Sequence, residues 1–311
     1  MATIVIALGG NAILQPGQAG TAAEQISNIR RTCEQIADMI AAGHRVVVTH
    51  GNGPQVGNLL IQQEEASPVV PPMPMDICGA MSQGLLGYLM QNQLDNLLRM
   101  RGIVRPVVSL ITQVLVDRAD QAFTNPTKPV GPFYTPARAE RLMAERGWQM
   151  KEDASRGWRR VVPSPDPKSI REKEAILHLV NAGAVVVCSG GGGIPVYLEN
   201  GQLYGCEAVI DKDVAGQRLA ADVAADLFCI LTDVARVSLR YKQPDEVKLD
   251  RVTAAEMRQY QKEGHFKAGS MGPKVEAILR FVEATGRWGV ISSLDAAAQA
   301  IEGRDGTIIT P

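Results

Sequence analysis

Ala184-Val185-Val186-Val187-Cys188-Ser189-Gly190-Gly191-Gly192-Gly193 is the stretch that decides the fold. An uncharged, β-branched run of this length reads as a strand buried on both faces, as in a parallel sheet flanked by helices. The four glycines behind it remove every Cβ from one spot, which bares backbone N–H groups to an anionic ligand. Two further junctions repeat the pattern: Ile4 to Leu8 feeds Gly9-Gly10-Asn11, and Val46 to Thr49 feeds Gly51-Asn52-Gly53-Pro54. Three such junctions imply one sheet whose loops meet at a common edge, with a phosphate cradle there.

Working outward, Thr3 to Leu8 carries no charge and is expected at the sheet centre. Glu24 to Ala42 places Ile26, Ile29, Cys33, Ile36 and Ile40 at helical spacing, and Gly43 stops the helix. Arg45 to Thr49 completes a strand–helix–strand unit with an expected right-handed crossover. A helix from about Met81 to Arg101 is expected to bury Leu85, Leu89, Leu94, Leu97 and Leu98, followed by a strand over Ile103 to Val108. Ser169 and Glu172 form a capping-box pattern ahead of Ile176, Leu177 and Val180, with Gly183 as the stop. Asn200-Gly201 signals a hairpin. Ala215 to Ala225 reads as helix and Leu227 to Leu231 as strand. Thr253 with Glu256 caps another helix, Pro273 suits a helix N1 position, and Gly289 to Ser292 and Thr307 to Thr310 supply late strands. The sum is a three-layer αβα sandwich with a mainly parallel central sheet of about eight strands.

Between Gln121 and Asp166 the alternation breaks. Pro126, Pro129, Pro132, Pro136, Pro163 and Pro165, with Trp148 and Trp158, mark a small excursion from the sheet. Within it, Thr135-Pro136 is positioned to start a helix that ends at Gly147.

The chain has 311 residues, with Lys+Arg 32 against Asp+Glu 33, a formal net charge of -1. That balance argues against a general nucleic-acid or membrane-surface binder. The five cysteines, Cys33, Cys78, Cys188, Cys206 and Cys229, show no CxxC spacing and mostly fall among apolar residues, as core thiols of a reducing compartment do. The chain opens directly on a strand pattern, without the basic and apolar segments of a signal peptide or an apolar run long enough to span a bilayer. A soluble cytoplasmic protein is expected.

The chemistry narrows by exclusion. Gly51-Asn52-Gly53-Pro54-Gln55-Val56-Gly57 spaces glycines as a dinucleotide fingerprint would, but Pro54 and Asn52 crowd the turn, and Gly9-Gly10-Asn11 fits no such pattern. G-x-x-x-x-G-K-[ST] is absent. His44, His50, His178 and His265 lack metal-ligand spacing, and no serine sits in G-x-S-x-G. Three lysines stand out instead. Lys128 is stiffened by Pro126 and Pro129, while Lys212 and Lys274 stand at helix starts, where a cation opposes the helix dipole. A solvated surface charge is the bland reading of any one lysine, but an anion between lysine and backbone N–H groups explains all three. Phosphoryl transfer uses such donors on the equatorial oxygens. Asp211 and Asp213 could bind Mg²⁺, orient Lys212 or cap the following helix, and Asp233 could contact nucleotide or start a turn.

Taken together, the motifs resemble those of the carbamate kinases, within the amino-acid kinase superfamily. The resemblance runs along essentially the whole chain, through Ala7 to Ala12, His50 to Gly57, Cys78 to Gly84, Asn125 to Gly131, Arg159 to Val162, Ser189 to Pro195, Glu207 to Asp213 and Glu263 to Lys274. It implies an amino-acid kinase-like sandwich with a small protruding subdomain at about 121–166. Residues 1–225 would form an N-terminal lobe on the small-substrate side, and residues 226–311 a C-terminal lobe on the nucleotide side. By the same resemblance Lys128 reaches from the subdomain toward the transferred phosphoryl group, Lys212 and Lys274 contact it or the ATP phosphates, and Asp213 organises those lysines. Gly9, Gly10, Asn11, Gly51, Asn52 and Gly53 would form the backbone bed for the small substrate. Gly190, Gly191 and Gly192 would take the ATP-phosphate side, with Asp233, Tyr241 and Met271 bordering the nucleotide. The implied reaction passes a phosphoryl group between ATP and carbamate to give ADP and carbamoyl phosphate, with Mg²⁺, in a homodimer. Its expected physiological direction is ATP formation, from arginine- or purine-derived carbamoyl phosphate. Two rivals remain: another amino-acid kinase with a larger carboxylate or acyl-amino-acid pocket, and a nucleotide-binding protein without turnover.

Overall fold

The computed structural model describes residues 1–153, 156–267 and 270–311. In chain order its strands are β1 (Thr3–Leu8), β2 (Arg45–His50), β3 (Val107–Ser109), β4 (Gln113–Val116), β5 (Lys128–Tyr134), β6 (Met150–Glu152), β7 (Trp158–Val162), β8 (Pro167–Ile170) and β9 (Val185–Val187). There follow β10 (Ile194–Glu199), β11 (Gln202–Gly205), β12 (Leu227–Thr232), β13 (Ser238–Leu239), β14 (Val247–Lys248), β15 (Arg251–Thr253), β16 (Trp288–Ser293) and β17 (Thr307–Thr310). The helices are α1 (Ala22–Ala41), α2 (Gly53–Ala66), α3 (Met75–Met100), α4 (Pro136–Arg146), α5 (Lys173–Asn181), α6 (Lys212–Asp222), α7 (Ala254–Lys262), α8 (Met271–Thr285) and α9 (Ala297–Ile301).

Eight strands share one sheet, ordered β15-β17-β16-β12-β1-β2-β9-β3. Every neighbouring pair is parallel except β16 with β17. β1 lies at the centre, with Ile6 in register with Val48 on one side and Cys229 on the other. Its side chains alternate between two cores, as a strand's period of two requires. Val5 and Ala7 join the residues of α5, α6 and α8, including Ile176, Leu219 and Ile278. Ile4, Ile6 and Leu8 join those of α1, α3 and α9, including Ile36, Leu94 and Ala300. The result is the expected three-layer sandwich.

Strands before residue 226 fill one half of this sheet and strands after it the other, so the two halves of the chain meet between β1 and β12. Those two strands pair over Ile4–Leu8 and Leu227–Leu231, which makes the halves one continuous sheet. The excursion is a separate three-stranded antiparallel sheet, β5-β7-β6, together with α4. Thr135 caps α4 and Gly147 ends it at φ 64. A third sheet, β11-β10-β4-β8, carries the Asn200-Gly201 hairpin, whose φ values of 50 and 79 suit a two-residue type I′ turn.

Several local expectations need correction. Ile26 is 36% exposed, because α1 packs from Ile29 onward. α3 begins at Met75 rather than Met81, and Leu85 is 42% exposed because the buried face runs through Ser82, Leu86, Leu89 and Met90. The expected strand from Ile103 starts late: only Val107–Ser109 pairs with β9. Pro106, just before it, has no N–H to give a ladder. Ser169 caps nothing, since it lies in β8 opposite Leu115. Glu172 instead accepts from the backbone N (2.8 Å) and Nε2 (3.0 Å) of Gln113. α6 starts at Lys212, three residues before the expected Ala215. Pro273 occupies the third position of α8, whose first residue is Met271. The Thr253–Glu256 capping box is present.

Parallel strands point their carboxyl ends the same way, and open α/β sheets bind ligands in the crevice beyond those ends. Here β1 runs into Gly9-Gly10, β2 into Gly51–Gly53, β9 into Cys188–Gly190, and β12 into Asp233.

Candidate active site

The four-glycine run is shaped by protein neighbours. A Cβ on Gly190 would stand 2.4 Å from Nε2 of His50, and one on Gly191 2.2 Å from Nδ2 of Asn52. On Gly192 it would meet the Ile210 carbonyl oxygen at 2.3 Å, and on Gly193 Cγ2 of Val114 at 2.2 Å. Gly191, Gly192 and Gly193 also have φ of 68, 94 and 80, and Ser189 shares the left-handed region at φ 54. The buried Ser189 is held there through its backbone: Thr49 Oγ1 donates to its carbonyl and its N–H donates to Thr112 Oγ1, each at 2.9 Å. Gln83 completes the clamp, its Nε2 donating to the Gly190 carbonyl at 3.1 Å. The run therefore seats the β2 loop, and it borders neither of the two clefts described below.

That seating orders His50 and Asn52. His50 is buried, and its Nδ1 donates to the Gly51 carbonyl oxygen at 3.0 Å if the neutral ring carries its proton there. Burial lowers its pKa to about 4, the hydrogen bond to Gly51 opposes the shift, and the Lys212 charge adds to it, so the ring is neutral at pH 7. Asn52 Nδ2 donates to Ser82 Oγ at 2.7 Å rather than capping α2. The first turns of α2 and α8 carry no side-chain cap and no acidic residue. Their positive dipole ends are suited to an anion, while Pro54 and Pro273 bring no N–H and the Gly272 N–H donates to the Lys267 carbonyl.

Asp213 joins the lysines. Asp211 is the N-cap of α6, accepting from the Asp213 backbone N–H through Oδ1 at 2.9 Å, which puts Lys212 and Asp213 in the first turn. Oδ1 of Asp213 accepts from Lys212 Nζ in a short contact, and Oδ2 accepts from Lys274 Nζ at 2.9 Å. The other oxygen of Asp211, Oδ2, accepts from Lys128 Nζ at 2.8 Å. Burial alone would push the Asp213 carboxyl up, but the charges of Lys212 and Lys274 hold it down to about 2. Burial pulls the Lys212 ammonium down, Asp213 opposing and Lys274 reinforcing the shift. The lysine stem lies against Gly51, where a Cβ would stand 3.3 Å from Lys212 Cδ and 3.6 Å from Gly10 N. The β1 and β2 loops thus converge on Lys212.

Two adjoining clefts open beside this cluster. The larger, about 450 Å³, is lined by Gly9, Gly10, Asn11, Lys212, Asp233 and Lys274 among others. The smaller, about 110 Å³, is lined by Asp233, Tyr241, Phe266, Met271 and Lys274. Thr232, Asp233, Ser270 and Lys274 belong to both. Gly51, Asn52, Gly53 and Lys128 line neither, and reach the site through Lys212 and Asp211. Gly269 lies outside the described residues. Sequence reading missed His265 and Phe266 on the small cleft, and Asn28, Arg31 and Asp295 on the large one. Phe266 left a signal, as a lone aromatic just past the helix-ending Gly264. The Arg31–Asp295 ion pair at 2.7 Å joins distant segments and left none.

Residues 2–292 match the family model described as the amino acid kinase family. The carbamate kinase of Thermococcus kodakarensis is 56% identical over 310 residues, covering 99% of this chain and 98% of its own. That of Pyrococcus furiosus is 55% identical over 310 residues, covering 99% of each. Among solved structures, carbamate kinase from Giardia lamblia bound to AMP-PNP superimposes with a TM-score of 0.95 at 47% identity, over 99% of this chain and 98% of that one.

Proposed function

We propose that this chain, which belongs to the amino acid kinase family and within it to the carbamate kinases, transfers a phosphoryl group reversibly between ATP and carbamate. One observation carries the reading. Asp213 holds two lysines, one of them lining both clefts, at the point where a nucleotide cleft and a small-substrate cleft would meet.

Carbamate is already an anion, so no base is needed. Its oxygen attacks the γ-phosphorus in line as the bond to the ADP oxygen breaks, which yields carbamoyl phosphate and ADP. What limits such a reaction is repulsion between anions and loss of alignment. Lys212 and Lys274 face the phosphoryl oxygens, Lys128 approaches from the subdomain, and Asp213 keeps two of them in place. Gly9, Gly10 and Asn11 receive the small substrate, with the Gly51–Gly53 loop behind Lys212. Tyr241, Phe266 and Met271 offer the nucleotide base an apolar slot. The glycine run Gly190–Gly192 acts by seating that loop.

Among the described residues no three His, Cys, Asp or Glu side chains gather to hold a metal, and both Asp213 oxygens are taken by lysine. Mg²⁺ fits here as a companion of the nucleotide phosphates, with Asp233 the carboxylate that lines both clefts; when bound it would neutralise phosphate charge.

A homodimer is part of the proposal. Ile77, Met81 and Leu85, each 42% exposed, and Tyr88 at 64% form an apolar stripe along α3 that a second copy would cover. Five free thiols, and the absence among the described residues of a helix long and apolar enough to cross a membrane, support placing the enzyme in the cytoplasm. The test is direct: the chain is incubated with Mg²⁺, ADP and carbamoyl phosphate, and ATP formation is followed. Folded protein that makes no ATP overturns the reading.

A further inference from the structure

We propose that Glu64 is a positioning residue for Lys128, holding the subdomain strand β5 in register along α2. The inference rests on the phosphoryl-transfer reading above, since it presumes that where Lys128 stands matters to turnover.

α2 and β5 lie side by side. Near the middle, Gly57 faces Gly131, where a Cβ on Gly57 would stand 4.0 Å from the Gly131 Cα. Around them Leu60 packs with Met75, Val130 and Val162. At the far end Glu64 Oε2 accepts from the Tyr134 hydroxyl at 2.9 Å, and Oε1 accepts from Arg138 Nη2 at 2.8 Å. The Glu64 side chain is only 14% exposed, against 40% for Arg138, so of the two bonds the one to Tyr134 is the less open to competing water. Burial and the neighbouring carboxylate push the Tyr134 hydroxyl up, which keeps it a donor throughout the working pH range.

These contacts differ in kind. The apolar seam is non-directional and lets one element slide on the other, whereas the hydrogen bonds to Glu64 fix both distance and angle. β5 pairs with β7 at Lys128–Val130 and again at Tyr134, but the register shifts between Val130 and Tyr134 and Gly131 has φ 70, so its own ladder is interrupted between the Glu64 end and the lysine. The strand spans roughly 20 Å from Tyr134 to Lys128 at the usual rise, so a small tilt at the Glu64 end becomes a large displacement at the lysine. α2 in turn begins at Gly53, in the loop behind Lys212. Glu64 therefore ties the element that carries Lys128 to the element that starts at the proposed substrate bed. Arg160 pairs with Glu207 from β7 and Lys128 reaches Asp211 at the other end of β5, so neither contact is made to α2.

The test compares the full chain with Glu64→Ala and Glu64→Gln by hydrogen exchange over residues 128–134, ADP calorimetry and steady-state kinetics. Faster exchange confined to 128–134, with kcat lower by roughly ten- to a hundredfold and ADP affinity within about twofold, is the expected result for Glu64→Ala. Glu64→Gln keeps one acceptor oxygen and should fall in between. Unchanged exchange, unchanged kcat, exchange raised across the whole sheet, or a matching loss of ADP affinity each overturns the proposal. If the wild-type chain makes no ATP from carbamoyl phosphate and ADP, the functional reading fails on its own, while the exchange comparison still decides whether Glu64 fixes the strand.

Discussion

Replacing Asp213 by Asn tests the centre of the site. The substitution keeps the side chain's size but offers one acceptor oxygen where two ammonium groups now bind, and turns an NH₂ toward one of them. Asp213 and Lys274 are nearly sealed, with side-chain exposures of 4% and 15%. Breaking a buried pair by removing one partner typically costs about 3–5 kcal/mol. A second route gives a similar size. The carboxyl is held at about 2 instead of 3.8, which is worth about 2 kcal/mol of stability, present above the ordinary carboxylate range and lost as pH falls through about 2. Lys212 can relieve part of the strain by losing its proton, since burial already pulls it down. The low end of the range, about 3 kcal/mol, is therefore expected, or roughly 5 °C in melting temperature for a chain of this size. ADP should recover more of the loss in the variant than it adds to the wild type, because phosphate oxygens can take the vacated place beside the lysines. Turnover should fall by about a hundredfold or more, as when a preorganised transition-state donor is lost. Scanning calorimetry with and without ADP, together with the ATP-forming assay, reads all three. A variant that melts within about 1 °C of wild type and turns over within about twofold would refute the account, because a dispensable Asp213 could not be what holds the lysines.

The lysines should separate by role. Lys128→Ala lowers turnover by about a hundredfold with nucleotide affinity nearly unchanged, because Lys128 lines neither cleft, while Lys274→Ala weakens ADP binding measurably by calorimetry. Comparable turnover in the first, or unchanged affinity in the second, removes that assignment. Two glycines should behave oppositely in denaturant titrations. Gly190→Ala, driven to within 2.4 Å of His50, loses about 2 kcal/mol or more, whereas Gly10→Ala, with nothing within 4 Å, stays within about 0.5 kcal/mol. Equal losses would mean that His50 yields easily. His50 also sets an acid limit: its folded pKa of about 4 lies below the ordinary 6.5, so the unfolded chain takes up the proton first and about 3 kcal/mol of stability drains away as pH falls from 6.5 to 4. A melting temperature flat across that window would count against a buried, neutral ring.

Much of the fold was legible because the central strands are buried on both faces and must be uncharged. Ile4 to Leu8, Val46 to Val48, Val185 to Val187 and Leu227 to Leu231 all read directly. A cap and a turn with a local mechanism read equally well, at Thr253 and at Asn200-Gly201. The start of α3 did not, since Gly79, Gly84 and Gly87 weaken the local helix signal by about 1 kcal/mol each. The reason for one of them is tertiary: a Cβ on Gly87 would stand 1.9 Å from Ser109 Oγ, so the glycine lets the helix reach β3. Ser169 and Pro273 misled for a related reason. Both residue types suit helix starts, but the pairing of β8 with β4 and the earlier start of α8 at Met271 decided where the helices begin.

The site divides along the same line. Lysines at helix starts and an aspartate beside one of them are local facts, and the structure brings Lys128, Lys212 and Lys274 together around Asp211 and Asp213. The glycine run is a non-local fact. Its sequence says that something approaches the backbone too closely for a Cβ, and a phosphate would satisfy that demand as well as a side chain would. What approaches is His50, Asn52, Ile210 and Val114, from three separate segments that no window of sequence could join. The imidazole and the amide fill the space on the Cβ side of Gly190 and Gly191, so the run seats the loop that carries His50 and Asn52. At the start of α8, beside the cleft that Met271 and Lys274 line, neither a capping side chain nor an acidic residue competes with an anion for the positive end of the helix dipole.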